Sequence, residues 1–327
     1  MNAPLSILDL ATIEPNGTVA ESLEHSVRAA QIAEEAGYSR VWYAEHHNMS
    51  SIASSATAVL IAHVAAHTKT IRLGSGGVML PNHSPLVIAE QFGTLATLHP
   101  DRIDLGLGRA PGTDGATFRA LRRTVQAAES FPNDVQELQG YLSDELPATG
   151  VNAYPGRGTR VPLFILGSSM FGASLGAQLG LPYAFASHFA PQQLLSAMQH
   201  YRETFRPSAQ QATPYAMAAI NVLAAETDEA AQELFRRSKL NRVRMFLSRG
   251  REQMLTEAEA EQLIDTPAGQ EIVGMMRYSA VGSPTTVRDQ LNAFAEMTGA
   301  DELITVHPAP TPAERLESIR LAGPQAA

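Results

Sequence analysis

The sequence predicts an α/β fold, a (β/α)8 TIM barrel with insertions on its βα loops. Three observations predict it. About eight short apolar, β-rich runs are spaced along 327 residues. Helical patterns separate them. A helix–glycine–strand junction recurs, as a βα repeat requires.

The runs fall at Leu5–Leu10, Arg40–Ala44, Thr70–Leu73, Arg102–Leu107, Pro162–Leu166, Tyr183–Ser187, Tyr215–Leu223 and Glu302–Val306. In the first helical stretch Val19, Leu23, Val27, Ala30 and Ala33 share one face, with Glu21, Glu24, Arg28 and Glu34 off it. Ser84–Pro85, Ser283–Pro284 and Thr311–Pro312 put a capping hydroxyl before a proline at the first helical position. Gly37, Gly180 and Gly299 stand where helices should stop. Strands that alternate with helices form a parallel sheet covered by helices, and eight of them close a barrel. A doubly wound open sheet is the alternative. Against it, GLGRAPG has Pro111 where a dinucleotide fingerprint needs its third glycine. A barrel needs about 250 residues. The surplus is expected in a lid insertion at Arg244–Ala280 and a shorter insertion at Glu129–Arg160, within a single domain of residues 1–327.

Composition excludes several functions. The chain has no cysteine, so disulfides, thiolate metal sites and thiol nucleophiles are absent. A net charge of −9 argues against a nucleic-acid surface. The start, MNAPLSILDL, has no basic region before a short apolar run and reads as a first strand. No stretch is long enough to span a bilayer, so no membrane partner and a cytoplasmic location are expected.

In a barrel the reactive face lies where strands end. Those exits supply Asp9, then Glu45, His46 and His47, then Gly76, Gly77 and His83. Further round come Arg109, Ser168, Ser169, His188 and His307. Five of the 10 histidines fall at this rim. Glycines at two strand exits would let backbone approach a flat ligand. Side chains alternate along a strand, so one of His46 and His47 faces the barrel mouth, where imidazole suits proton transfer. Ser168 and Ser169 open a helix, either as caps or, with its free N–H groups, as an anion site. Arg109 favours the anion, with Asp114 as its ordinary ion-pair partner otherwise. His63 and His67 share a helix face but lack a third ligand, and no metal is expected. Met275, Met276 and Tyr278 pack either as a lid or as core.

Four segments carry a resemblance that covers nearly the whole chain. They are AEHHN, LGSGGVMLPNHSPLVIAEQFGTLATLHPDRIDLGLGRAPG, ILGSS with GLPYAFA behind it, and MMRYSAVGSPTTV. In these the chain resembles the bacterial-luciferase-like, flavin-dependent monooxygenase family, in its single-chain branch. The resemblance implies a (β/α)8 barrel and FMN taken up reduced from a separate flavin reductase. It also implies O2 as oxidant, a small organic substrate and a homodimer. His46 matches the catalytic histidine. Gly76 and Gly77 match a cis peptide under the flavin ring, which Met79 helps to line. Arg109, Ser168 and Ser169 match the phosphate grip, and Asp9, His83 and His188 are expected in the substrate pocket. Gly108 replaces a reactive cysteine of luciferase and Gly172 a hydroxyl-bearing residue, so light emission is not implied. Two rivals remain: an F420-dependent hydride-transfer enzyme, for whose longer anionic tail the sequence shows no extra basic cluster, and a non-catalytic flavin-binding protein.

Overall fold

The structure, a computed structural model, describes residues 3–110, 115–145, 150–248 and 253–325. Its strands are β1 (Leu5–Asp9), β2 (Arg40–Tyr43), β3 (Arg72–Met79), β4 (Ile103–Gly108), β5 (Leu163–Gly167), β6 (Tyr183–Phe185), β7 (Ala216–Ala224), β8 (Ser279–Gly282) and β9 (Glu302–Val306). All pair in parallel. β1 to β7 follow one another, β7 pairs with β9, and β9 returns to β1. Eight strands therefore close the barrel. The ninth, β8, adds to the upper half of β7, pairing Asn221–Ala224 with Ser279–Gly282, while β9 takes the lower half from Met217. β8 was not expected, because its four residues end a polar stretch and show no alternation.

The helices are α1 (Val19–Glu35), α2 (Thr57–Ala66), α3 (Pro85–Leu98), α4 (Gly115–Ala120), α5 (Phe131–Leu142) and α6 (Met170–Leu179). They continue with α7 (Leu194–Thr204), α8 (Asp228–Leu247), α9 (Glu257–Leu263), α10 (Pro267–Gly274), α11 (Pro284–Thr298) and α12 (Pro312–Ala322). Thr18 and Glu21 form a reciprocal capping box on α1. Gly37, Gly180 and Gly299 take the positive φ their junctions demand. Of the three hydroxyl–proline starts, Thr311 caps through Glu314 N–H. Ser84 and Ser283 occupy the cap position without a side-chain cap bond.

Two expected boundaries move. Glu129–Arg160 is not an insertion: it contains α5, whose Val135, Leu138, Tyr141 and Leu142 are buried. α5 is the outer helix between β4 and β5. Arg244 opens no insertion either, since it lies inside α8. The excursion consists of the end of α8 with α9 and α10, joined by Leu240, Val243, Ala260 and Ile272.

The glycine-rich segment after Leu73 is also no turn. It is the body of β3, with a register irregularity between Ser75 and Val78. A Cβ on Gly74 would lie 2.6 Å from Asp104 O, and one on Gly77 would lie 2.6 Å from Gly106 O. These glycines let β3 press on β4.

The barrel interior has two zones. Towards the strand starts, Arg40 pairs with Asp104 at 2.8 Å and Glu302 at 2.9 Å, and Arg72 also binds Asp104. Both carboxylates are fully buried. Burial works against the Arg40 charge, but Asp104 and Glu302 outweigh it and raise its pKa. Above lies an apolar plug that includes Leu8, Trp42, Phe164, Met217 and Ile304. That plug floors the site.

Candidate active site

At the carboxyl ends of the strands the barrel opens into a cavity of about 900 Å3. It is large for a small-molecule site. His46, Gly76, Gly77, Met79, Arg109, Ser168, Ser169 and His188 all line it. Asp9 and His83 do not, and each has a physical reason. Asp9 is held inward: its Oδ1 accepts from Ala11 N–H at 2.7 Å and pairs with Arg315 at 2.9 Å. Arg315 lines the cavity in its place. His83 follows a 3-10 turn, Leu80–Asn82, that carries its ring to Glu45, with Nε2 2.7 Å from Oε1.

The β4 and β5 exits bring Arg109, Ser168 and Ser169 to one side of the cavity. Ser169 is the N-cap of α6, with extended backbone and no side-chain cap bond. Gln193 accepts from Met170 N–H at 3.2 Å instead. Arg109 lies with its guanidinium carbon 3.9 Å from the centre of the Phe171 ring. It pairs with no carboxylate among the described residues. Asp114, its expected ordinary partner, lies outside them, as does Pro111. A guanidinium, two hydroxyls and a helix N-terminus thus face the same space, and these residues fit a phosphate. Gly172 has its own reason to lack a side chain. A Cβ there would lie 3.1 Å from the Tyr183 ring and 3.3 Å from Gly167 Cα. A Cβ on Gly108 would meet nothing nearer than Val78 O at 3.9 Å. Gly76 and Gly77, joined by a cis peptide, show backbone to the cavity. Their Cβ atoms would strike Leu8 and Gly106, so strand packing also favours glycine at both.

Past the end of β2 the two histidines part as expected, although they lie beyond the strand itself. His46 lines the cavity, and its N–H donates to Ser54 O at 3.3 Å. His47 turns to Glu45, with Nε2 2.9 Å from Oε1. Glu45 is 2% exposed and also accepts from Met79 N–H at 3.3 Å. Burial disfavours its charge, but His83 and His47 more than compensate, and its pKa lies below the usual carboxylate value. The ligand atoms of Glu45, His47 and His83 lie within 4.8 Å of one another, a grouping with metal-site composition. The sequence did not suggest it, because His83 stands 38 residues from Glu45. Their mutual hydrogen bonds tie the β2 exit to the β3 exit beside His46.

A second polar group occupies the β6 and β7 exits. His188 is buried, and burial followed by the Arg242 charge pushes its pKa down to about 3. Asn221 Nδ2 donates to His188 O at 3.0 Å and to Tyr278 O at 3.2 Å. From above, Ser238, Asn241, Arg242, Met245 and Phe246 of α8 line the cavity. Their spacing of i, i+3, i+4, i+7 and i+8 is one helical face. That spacing was readable, but the segment was divided at Arg244. Met275 and Met276 close the same wall. His307, at the β9 exit, bonds Ser318 and Thr305 through its two ring nitrogens, and burial then Arg315 lower its pKa to about 3.

The sequence profile of the luciferase-like monooxygenase family matches residues 4–302. A luciferase-like monooxygenase of Escherichia coli (strain K12) is 47% identical over 302 residues, which are 91% of this chain and 90% of that protein. The crystal structure of apo-MsnO8 superposes with a TM-score of 0.87 at 38% identity, covering 98% of this chain and 97% of that one. More distant barrels share the fold alone. One is a type II Baeyer–Villiger monooxygenase component in complex with FMN (TM-score 0.69, 17% identity, 100% and 98% covered). Another is an F420-dependent secondary alcohol dehydrogenase (0.68, 14%, 100% and 100%). With most of its length matched by the family profile and by a relative at 47% identity, this chain belongs to the luciferase-like monooxygenase family.

Proposed function

We propose that this protein is an FMN-dependent monooxygenase that uses reduced flavin and O2 to oxidise a small organic substrate. The observation that carries this reading is the anion cradle: Arg109, without a carboxylate partner among the described residues, stands with Ser168 and Ser169 at the N-terminus of α6 beside a large apolar-floored cavity. When bound, reduced flavin supplies two electrons to O2, so that one oxygen atom enters the substrate and the other leaves as water.

The chain's own residues do the rest. Arg109, Ser168 and Ser169 hold the phosphate. The backbone of Gly76 and Gly77, with Met79, orients the ring. A ring nitrogen of His46 gives or takes the proton that the oxygen chemistry requires. Glu45, clamped by His47 and His83, fixes the strand end from which His46 projects. Trp42 and Ile304 below, and Met245 and Phe246 above, keep water out. The excursion with α9 and α10 acts as the lid over this space. Reduced FMN comes from a separate flavin reductase, and the working form is a cytoplasmic homodimer. Among the described residues no helix is long and apolar enough to cross a membrane. Val59 on α2 and Leu98 on α3 are 70% and 64% exposed, apolar area that suits pairing of two copies.

The test is a titration with FMN and with F420, each oxidised and reduced, followed by oxygen uptake on adding reduced cofactor. Tighter binding of FMN and oxygen consumption are expected. Preference for F420 with oxygen-independent turnover would establish the hydride-transfer rival. FMN binding without coupled turnover of any substrate would leave a flavin-binding protein.

A further inference from the structure

The anion cradle belongs to β4 and β5. A second cation, Arg242, faces the same cavity from α8, beside the β6 and β7 exits. Its Nε is sealed from solvent and has no hydrogen-bond partner. It forms no ion pair among the described residues, and the Phe246 ring lies 5.8 Å away. Burial lowers its pKa. Arg315, the other cavity arginine on this side, differs in having Asp9 as counter-ion. Two further buried atoms here also lack partners, His188 Nδ1 and Asn221 Oδ1. The orientation of the Asn221 amide is set by the two carbonyls that its Nδ2 meets.

A partly buried guanidinium without a counter-ion is costly, whereas one matched by a bound anion is less so. The neighbouring imidazole is buried and uncharged, so it adds a neutral hydrogen-bonding group and no competing charge. Asn221 Oδ1 adds an acceptor, which calls for a donor on the same ligand.

We infer that the substrate is an organic anion, with a carboxylate or sulfonate head held by Arg242 and His188 and an N–H or O–H near that head directed to Asn221. The inference rests on the flavin reading of the cavity, which assigns the cofactor's own anion to Arg109. The remainder of the substrate lies along Met245, Phe246 and Met276, all apolar.

Calorimetric titration of the protein saturated with oxidised FMN tests this, using N-acetylnorleucine, hexanoate and hexan-1-ol as probes. Both anions should bind more tightly than the alcohol. Arg242→Met should weaken them about 10- to 150-fold, the worth of one charge-assisted contact, and leave hexan-1-ol within about twofold by the same scale. Arg242→Lys, which keeps the charge, should fall between and serves if the methionine variant does not fold. Equal binding of hexanoate and hexan-1-ol to the unaltered protein would overturn the inference, as would anion affinity that survives loss of the charge. If Arg242→Met weakened FMN and spared hexanoate, the guanidinium would serve the cofactor, and only the substrate inference would fall. If FMN did not bind at all, the flavin reading would fall, and hexanoate titration of the cofactor-free protein would still decide whether Arg242 holds an anion.

Discussion

Arg109 stacks on Phe171 and His46 stands at the end of β2, and the two residues should fail in different ways. Arg109→Ala removes a charge-assisted contact worth about 1.5–3 kcal/mol. FMN affinity, read by quenching of flavin fluorescence, is expected to drop about 10- to 150-fold; an unchanged affinity would remove Arg109 from the phosphate site. His46→Ala should leave FMN affinity nearly intact and slow substrate oxidation by about 10²–10⁴-fold. Full activity in that variant would end its assignment. The cavity positions of His46, Arg109, Ser168 and Ser169 were legible in the sequence because each comes soon after a recognisable strand. Asp9 ends β1 and His83 stands just beyond β3, yet they serve partners that the sequence cannot bring near, Arg315 on the last helix and Glu45 at the neighbouring β2 exit. Arg242 was missed for the opposite reason: it sits in mid-helix, where an arginine usually reads as solvent-facing.

At the level of elements, the glycines of β3 have a packing role that the sequence alone does not show. At a strand exit its glycines suggested backbone open to a ligand. They form a strand, and their missing Cβ atoms also leave room for Asp104, Gly106 and Leu8. Gly74 is the cleanest case, since its Cβ would meet Asp104 O at 2.6 Å and Asp104 Cβ at 2.7 Å. Gly74→Ala should therefore cost about 1–3 kcal/mol by overpacking, measured as a lowered urea midpoint. A neutral result would mean that β3 and β4 can separate without loss. Helix ends were more legible than strand ends because glycine and proline act through backbone geometry that needs no tertiary partner. Thr311 caps as its sequence suggests, while Ser84 and Ser283 only hold the position.

Across the whole molecule the barrel keeps two sets of charged and titratable groups at opposite ends. The Arg40–Asp104–Glu302 cluster closes the strand starts, and the histidines, Arg109 and Arg242 ring the strand ends. Closure by eight strands followed from their number and alternation with helices. The ionic cluster did not, because its members come from β2, β4 and β9 and meet only once the barrel is shut. Burial of His188 and His307 gives the molecule a pH signature. Both have pKa values of about 3 in the fold, against about 6.5 when unfolded. Between those values the unfolded chain binds protons that the folded chain refuses, so stability falls as pH falls. Each histidine contributes up to about 1.4 kcal/mol per pH unit within that window. Urea midpoints measured from pH 7 to pH 5 should decline, and His307→Gln should flatten the decline. A midpoint independent of pH would show that neither ring is sealed from protons.

The short strand β8 hydrogen-bonds along Asn221–Ala224 of β7, so the roof of the chamber is stitched to its wall at the seam where α8 leaves and the chain comes back. A roof fastened in that way cannot swing open on a free hinge at this seam. The amides of Val222 and Leu223 should therefore exchange with deuterated water as slowly as those of the barrel staves.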